Sequence, residues 1–489
     1  MLNITNIPLS KTNLVPPIIT DLLKQEELNF NKKTDRKLLV SKLREQYASY
    51  AANEKVKLNI DALLDENTFT VTTGHQLCLL GGPAYFIYKI VSTIKACELY
   101  ALQHPSKKFV PVFWLASEDH DFAEVDHLYL FNKKIQWQKE ASGAVGRLNV
   151  EGLQSIVEEV KSLTGDSDLI TIFEQALHSS DLAAFTKYWV NALFAKYGLL
   201  IIDADDADFK RSFAPIISRE FKDNIGKREV EKTNAILSEK YKLQVNPREI
   251  NFFRLEDDKR ERFVEPLGNW EDLLDTNPEK FSPNVIYRPL YQEFILPNVA
   301  YVGGPNELAY WFQIKGVFAA HQISYPQLIL RDSFLVLNAN QQKVMNILNF
   351  SFVDLLESAE ALKSRFLKSK MEISDANYSN ALLKVFEDLK LEVSKIDTTL
   401  VGAVEAEKAK NLKSLENLFG RIKKAEKTRH EVDLNKIDKL KNQLFPEGIF
   451  QERRVNFMEF YSRYGAAYLD ALIQNANPLN SCLKVLQEG

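Results

Sequence analysis

Residues 68–89 read TFTVTTGHQLCLLGGPAYFIYK, and the fold follows from how this stretch divides. Its first part, TFTVTT (68–73), is short, rich in β-branched residues and stops at Gly74. That composition predicts a buried strand. Its last part opens on Pro83 and continues as PAYFIYKIVSTIKACELYALQ (83–103), apolar at Tyr85, Ile87, Tyr88, Val91, Ile94 and Leu99. Such spacing, with proline at the first position, predicts a helix. The run FVPVFWL (109–115) is again of strand character. Strand, helix and strand within about 45 residues make a βαβ unit. GLLIID (198–203) and PQLIL (326–330) supply two more strands of the kind a doubly covered parallel sheet requires.

The expected fold class is therefore α/β, with a Rossmann-like parallel-sheet core. The strands are far apart in sequence, so insertions are expected near 130–195 and 210–290. The core should occupy residues 1–350. From about 350 to 445 there is no proline, and the only glycines are Gly402 and Gly420. Phe386, Leu389, Val393, Ile396 and Leu400 follow a coiled-coil seam, and Leu412, Leu415, Phe419 and Ile422 resume it in another phase. Residues 351–445 are thus expected to form a long antiparallel helical arm with its turn near 397–400. Its second helix should run unbroken to Phe445, ~65 Å at 1.5 Å per residue. Residues 446–489 return to globular composition and should pack back on the core.

The chain has 489 residues, 45% hydrophobic and 26% charged, as in an ordinary globular protein. A net charge of -4 implies no general attraction to nucleic acid or membrane. Cys78, Cys97 and Cys482 form no paired framework, which suits a reducing compartment. The N-terminal residues are interrupted by Pro16, Pro17 and Asp21 before an apolar run develops. They do not read as a signal peptide, and a cytoplasmic protein is expected.

Three blocks can carry chemistry. Thr73, Gly74, His75 and Gln76 stand at the carboxyl end of the first strand, where open α/β sheets bind ligands. Gly81 and Gly82 before Pro83, and Gly303 and Gly304 before Pro305, form two Gly-Gly-Pro turns that open helices. Both are candidate anion or nucleotide contacts, because first-turn N–H groups lack intrahelical acceptors. FWLASEDHDFAEVDH (113–127) brings Glu118, Asp119, His120 and Asp121 to the same sheet edge as candidate acid/base residues. As a helix from about Asp119 it would align His120, Glu124 and His127. A zinc site is chemically conceivable there, but no HExxH motif supports one, and no metal is expected. Acids that merely favour a helix N-terminus explain Asp119 and Asp121 equally well. In the third block, SPNVIYRPLYQEFILPNVAYVGGPNELAYW (282–311), Arg288 is a candidate carboxylate clamp and Asn298 a candidate polar contact. Lys89 and Arg331 are further candidates for substrate contact. Each arginine could equally be a structural ion pair.

These blocks, with LFPEGIFQER near residue 450, resemble the bacillithiol-biosynthesis cysteine-adding enzymes, the cysteine ligases of that pathway. The resemblance runs nearly end to end and includes the helical arm. It implies a Rossmann-type core with connecting-peptide insertions and a coiled-coil homodimer. It also implies a reaction that joins cysteine to glucosaminyl-malate. The family usually has Thr-Gly-Gln-Gln where this chain has Thr73-Gly74-His75-Gln76, so a role carries over to Gln76 and not to His75. At the arm's turn the family often has Asp-Pro-Thr, where this chain has Asp397-Thr398-Thr399. Amide formation needs an activated carboxylate. ATP or ADP is the candidate cofactor, although no Walker-type loop is present. A nucleotidyltransferase-like enzyme with another small substrate, and a non-catalytic coiled-coil scaffold, are the competing readings.

Overall fold

The computed structural model describes residues 2–50, 53–256, 259–263, 269–371, 373 and 375–488. It divides into two compact units, one of residues 1–336 with 449–489 and one of residues 337–448.

The first unit is built on five parallel strands: β1 (Thr68–His75), β2 (Lys108–Leu115), β3 (Leu200–Asp203), β4 (Asn298–Gly303) and β5 (Gln327–Leu330). Their order across the sheet is β3-β2-β1-β4-β5, so the direction of winding reverses between β1 and β4. This is the doubly wound order, and ligands bind outside the carboxyl ends of the strands at that reversal. Alternation along β2 explains why its apolar run is continuous. Phe113 and Leu115 enter one core, while Val110, Val112 and Trp114 enter the other. Four of the five strands were legible in the sequence. The interior strand β4 was not, and it is flanked by Pro297 and the Gly303-Gly304 pair.

Helix α1 (Tyr85–Gln103) connects β1 to β2. After β2 the chain makes only a four-residue helix, α2 (Phe122–Val125), and then a hairpin pairing His127–Leu130 with Lys133–Gln136. Of the two readings of this stretch, the helix from about Asp119 to His127 does not form, and the strand ending at Leu115 does. His127 begins a strand, so His120, Glu124 and His127 never share a helix face. Helices α3 (Ala207–Asp223), α4 (Tyr287–Ile295) and α5 (Pro305–His321) complete the frame of the sheet. A second sheet of three strands pairs Leu2–Pro8 antiparallel with Cys482–Glu488, with Ser333–Leu337 on the other side.

In the second unit, α6 (Asp375–Ile396) and α7 (Val401–Arg429) run antiparallel. Ion pairs Lys390–Glu405 (2.7 Å), Lys408–Glu387 (2.9 Å) and Lys423–Asp375 (2.8 Å) fix that register. Asp397 caps the turn by accepting from the Thr399 N–H at 2.8 Å. The second helix is not continuous to Phe445. At His430 the backbone leaves helical geometry (φ -106°, ψ 17°), and α8 (Glu431–Leu444) follows as a separate helix. Its Ile437, Leu440 and Leu444 are buried, whereas α6 has no buried residue.

Candidate active site

The carboxyl ends of all five strands line one cavity of about 1080 Å³, contained wholly within the first unit. β1 contributes Gly74, His75 and Gln76, β2 Glu118 and Asp119, and β3 Asp205. Beyond β4, the N-cap and first turn of α5 contribute Gly304 and Glu307, and Arg331 follows β5.

One wall is acidic. The side-chain amide of Gln76 donates to Asp119 Oδ2 and to Glu124 Oε2, each at 2.7 Å. Burial pushes the Asp119 carboxyl up, but the Gln76 amide, Arg260 and the N–H groups of His120 and Asp121 outweigh it. Asp119 therefore titrates below the usual carboxylate range. Glu118 behaves oppositely. Burial raises it, and its ion pair with Lys210 offsets that only in part. Lys210, on α3, is itself buried. It also reaches Asp205 Oδ1 and the Glu279 carbonyl, each at 3.1 Å. Arg147 forks onto Asp205 at 2.8 and 3.0 Å, which holds the Asp205 carboxyl low together with Lys210 against the opposing effect of burial. Beneath them Ser117 donates to Asp203, which burial and neighbouring Asp205 push up to about 6.

Cations stand beside and beyond this wall, with Arg260 Nη1 3.9 Å from Asp119 Oδ1. Arg260 stacks over Phe253 at 4.0 Å and donates to Ser282 Oγ and the Pro283 carbonyl, each at 3.1 Å. Arg288 is anchored by Gln292 Oε1 at 3.2 Å and the Tyr310 hydroxyl at 3.3 Å. Both guanidiniums reach the cavity, as does Arg248. At the floor, buried Lys89 pairs with Glu307 Oε2 at 2.7 Å and donates to the Gly74 carbonyl. Glu307 also accepts from the Tyr301 hydroxyl.

The candidates divide sharply. Gly74, His75, Gln76, Lys89, Glu118, Asp119, Arg288, Gly304 and Arg331 line the cavity. Thr73 and Asn298 do not, because sheet hydrogen bonds consume them. Thr73 Oγ1 donates to the Val302 carbonyl at 2.7 Å, and Asn298 Oδ1 accepts from Thr70 and Thr72 at 3.1 and 2.8 Å. Gly303 is packed against Leu308, whose Cδ2 would lie 2.6 Å from an added Cβ. His120 and Asp121 are exposed beyond the wall, and His120 Nδ1 accepts from Arg260 at 3.0 Å. Burial and the charge of Lys89 push His75 down to about 3, so it is neutral and a poor base at neutral pH.

The first Gly-Gly-Pro turn is corrected most. Gly81 and Gly82 are buried, and their N–H groups bond to the Cys78 and Leu79 carbonyls at 3.0 and 2.9 Å. Asn456 Nδ2 holds the Leu80 and Gly82 carbonyls at 3.1 and 2.6 Å. No donor of this pair remains for an anion.

Sequence reading missed Lys210, Asp205, Arg260 and Glu307. Asp205 lies just past a strand of the sheet, and Glu307 stands three residues after Gly304, where capping-box acids occur. Those two had a local signal. Lys210 and Arg260 lie inside insertions and had none. Among the described residues no group of three His, Cys, Asp or Glu side chains is placed to hold a metal ion.

Residues 20–332 match the family description "Bacillithiol biosynthesis BshC, N-terminal Rossmann-like domain", and residues 334–488 match the "C-terminal coiled-coil domain" of the same family. The chain belongs to the BshC family. A Flavobacterium psychrophilum relative named "Putative cysteine ligase BshC" is 39% identical, covering 96% of this chain and 92% of its own. One from Flavobacterium johnsoniae with the same name is 40% identical, covering 92% and 89%. A Bacillus mycoides relative, again so named, is 28% identical, covering 90% and 88%. The cavity draws on both BshC segments. Its strand-end residues lie in the Rossmann-like part, and Arg453 comes from the part matched as coiled coil.

Proposed function

We propose that this protein is a cysteine ligase of bacillithiol synthesis that forms an amide between the carboxyl group of cysteine and the amine of glucosaminyl-malate. In that reaction the glucosamine nitrogen bonds to the carboxyl carbon. A carboxyl oxygen departs with the activating group, and a proton leaves the nitrogen. Three needs follow: a seat for an amine, a proton acceptor, and cations for the malate carboxylates.

The observation that carries the reading is the pairing of Asp119 and Glu124 on one amide hydrogen-bond donor, Gln76, in a cavity that also presents Arg288 and Arg260. Two carboxylates held around an N–H donor suit an ammonium. Asp119, with its lowered pKa, stays charged to receive it. Glu118, with its raised pKa, is the better proton acceptor. Arg288 and Arg260 present forked donors suited to the malate carboxylates. The volume supports the reading too, since single-ligand pockets run at about 300–1,000 Å³ and two small substrates with a donor need the upper end. In the arm, Val385 and Ile396 are 61% and 82% exposed, which suits a second copy of the chain, and the proposal includes a homodimer acting in the cytoplasm. Among the described residues no helix is long and apolar enough to cross a membrane.

The test is direct. Purified protein is incubated with cysteine and glucosaminyl-malate, with and without ATP, and the conjugated thiol is sought by mass spectrometry. Product only with ATP supports a ligase, and release of AMP or ADP names the activated intermediate. Product without ATP discards nucleotide activation. Absence of product under both conditions from folded protein rejects the reading.

A further inference from the structure

Gly304 has no conformational reason to be glycine. Its backbone (φ -78°, ψ 166°) is open to every residue. It is the N-cap of α5, a seventeen-residue helix, where Ser, Asp or Asn would serve better. Nor does packing demand it. An added Cβ would find a single neighbour within 4 Å, Arg331 Nε at 3.9 Å.

Arg331 is 3% exposed, and two arms of its guanidinium are tied down. Nη1 donates to the Asp332 carbonyl at 2.9 Å and Nη2 to Glu452 Oε1 at 2.7 Å. The third donor, Nε, is buried and has no hydrogen-bond partner. A buried unpaired donor on a charged group is costly, so a ligand that takes it up is favoured. Both residues line the cavity. The surroundings are cationic as well. Arg288, Arg331, Arg453 and Lys89 meet two carboxylates, Glu307 and Glu452. The N–H groups of Asn306 and Glu307, in the first turn of α5, precede the first intrahelical acceptor.

We propose that the space in front of Gly304 is an oxyanion pocket, in which Arg331 Nε and the first turn of α5 hold a phosphate or carboxylate, and that glycine is there to leave room for it. The proposal deepens the ligase reading and rests on it for its biological meaning. Phosphate would come from the activating group, and carboxylate from the malate end of the substrate.

The test is calorimetric titration of the full chain with orthophosphate and, separately, with L-malate, comparing wild type with Gly304→Ala and Gly304→Val. Neither substitution strains the backbone, so both should melt like wild type without ligand. Wild type should bind at least one of the two anions. Gly304→Ala should weaken that binding several-fold and Gly304→Val at least tenfold, about the worth of one charged hydrogen bond. Loss confined to orthophosphate identifies the activating group as the occupant, and loss confined to malate identifies the substrate carboxylate. No binding by wild type, or unchanged binding by Gly304→Val, overturns the pocket. Product formation by wild type is assayed separately. Binding that depends on Gly304 without product keeps the pocket and discards the ligase reading, and product without such binding does the reverse.

Discussion

The two Gly-Gly-Pro turns are the same device in sequence and opposite devices in space. At Gly81-Gly82 the chain passes through left-handed geometry at Leu80, Gly81 and Gly82 (φ 45°, 82° and 51°), and both glycine N–H groups are used internally. At Gly303-Gly304 the backbone is extended at Gly304, and the turn opens on the cavity. Gly82 is glycine because nothing else fits: an added Cβ would lie 2.7 Å from Cys78 Cβ. Gly304 is glycine although almost anything would fit. The lesson is that a glycine motif points to a ligand only where neither backbone nor packing already accounts for it.

Substitutions can break this contrast, and their effects should fall in order. Gly82→Ala should destabilise most, by about 4 kcal/mol, because a Gly-only conformation and an overlap with Cys78 add together. A denaturant midpoint unchanged from wild type would show that the turn relaxes freely. Glu307→Gln, at the second turn, should cost about 3 kcal/mol by leaving buried Lys89 without its counter-charge. The Glu307 carboxyl is held low by Lys89 and Arg288 against the opposing effect of burial. Its contribution to stability is thus complete above the ordinary glutamate pKa and is lost as pH falls through the depressed folded value. Wild type should lose stability on acidification below about pH 4.5, and Glu307→Gln should lose less, as unfolding titrations at several pH values would reveal. Asn456→Ala should cost about 2 kcal/mol through the Leu80 and Gly82 carbonyls it leaves buried. Smallest is Gly304→Ala, within about 0.5 kcal/mol of wild type by denaturation. A large loss there would mean that the second turn, like the first, is glycine for structural reasons.

Much of the sheet was readable because buried parallel strands advertise themselves as unbroken apolar runs. TFTVTT and FVPVFWL lie within strands of the sheet, and GLLIID and PQLIL supply the strands Leu200–Asp203 and Gln327–Leu330. β4 pairs with β1 more than two hundred residues away, and no local pattern announces a partner at that distance. The same holds for Leu2–Pro8 and Cys482–Glu488. Within EDHD only the first two acids line the cavity, since the chain turns at His120 towards a hairpin. The sequence displays the three acids and His120 as equals. What separates them is Lys210, which arrives from another part of the chain to bury Glu118, and Gln76, which claims Asp119. The break at His430 was hidden because Leu434, Ile437, Leu440 and Leu444 extend the apolar seam beyond it.

The strand Leu2–Pro8 lies against Cys482–Glu488, so the first unit is assembled from chain that is made early and chain that is made late. Emerging from a ribosome, residues 337–448 are complete before the strand that closes the sheet has been made. At about 5–20 residues per second, the unit holding the cavity waits roughly 7–30 s for its last strand. During that interval Leu2–Pro8 has one hydrogen-bonding edge of its eventual sheet missing, and strand edges of that kind are what chaperones and stray chains recognise. The pairing therefore acts as a completeness check: a chain that stops short of residue 482 carries nearly all of the cavity wall but cannot seal the sheet beside it.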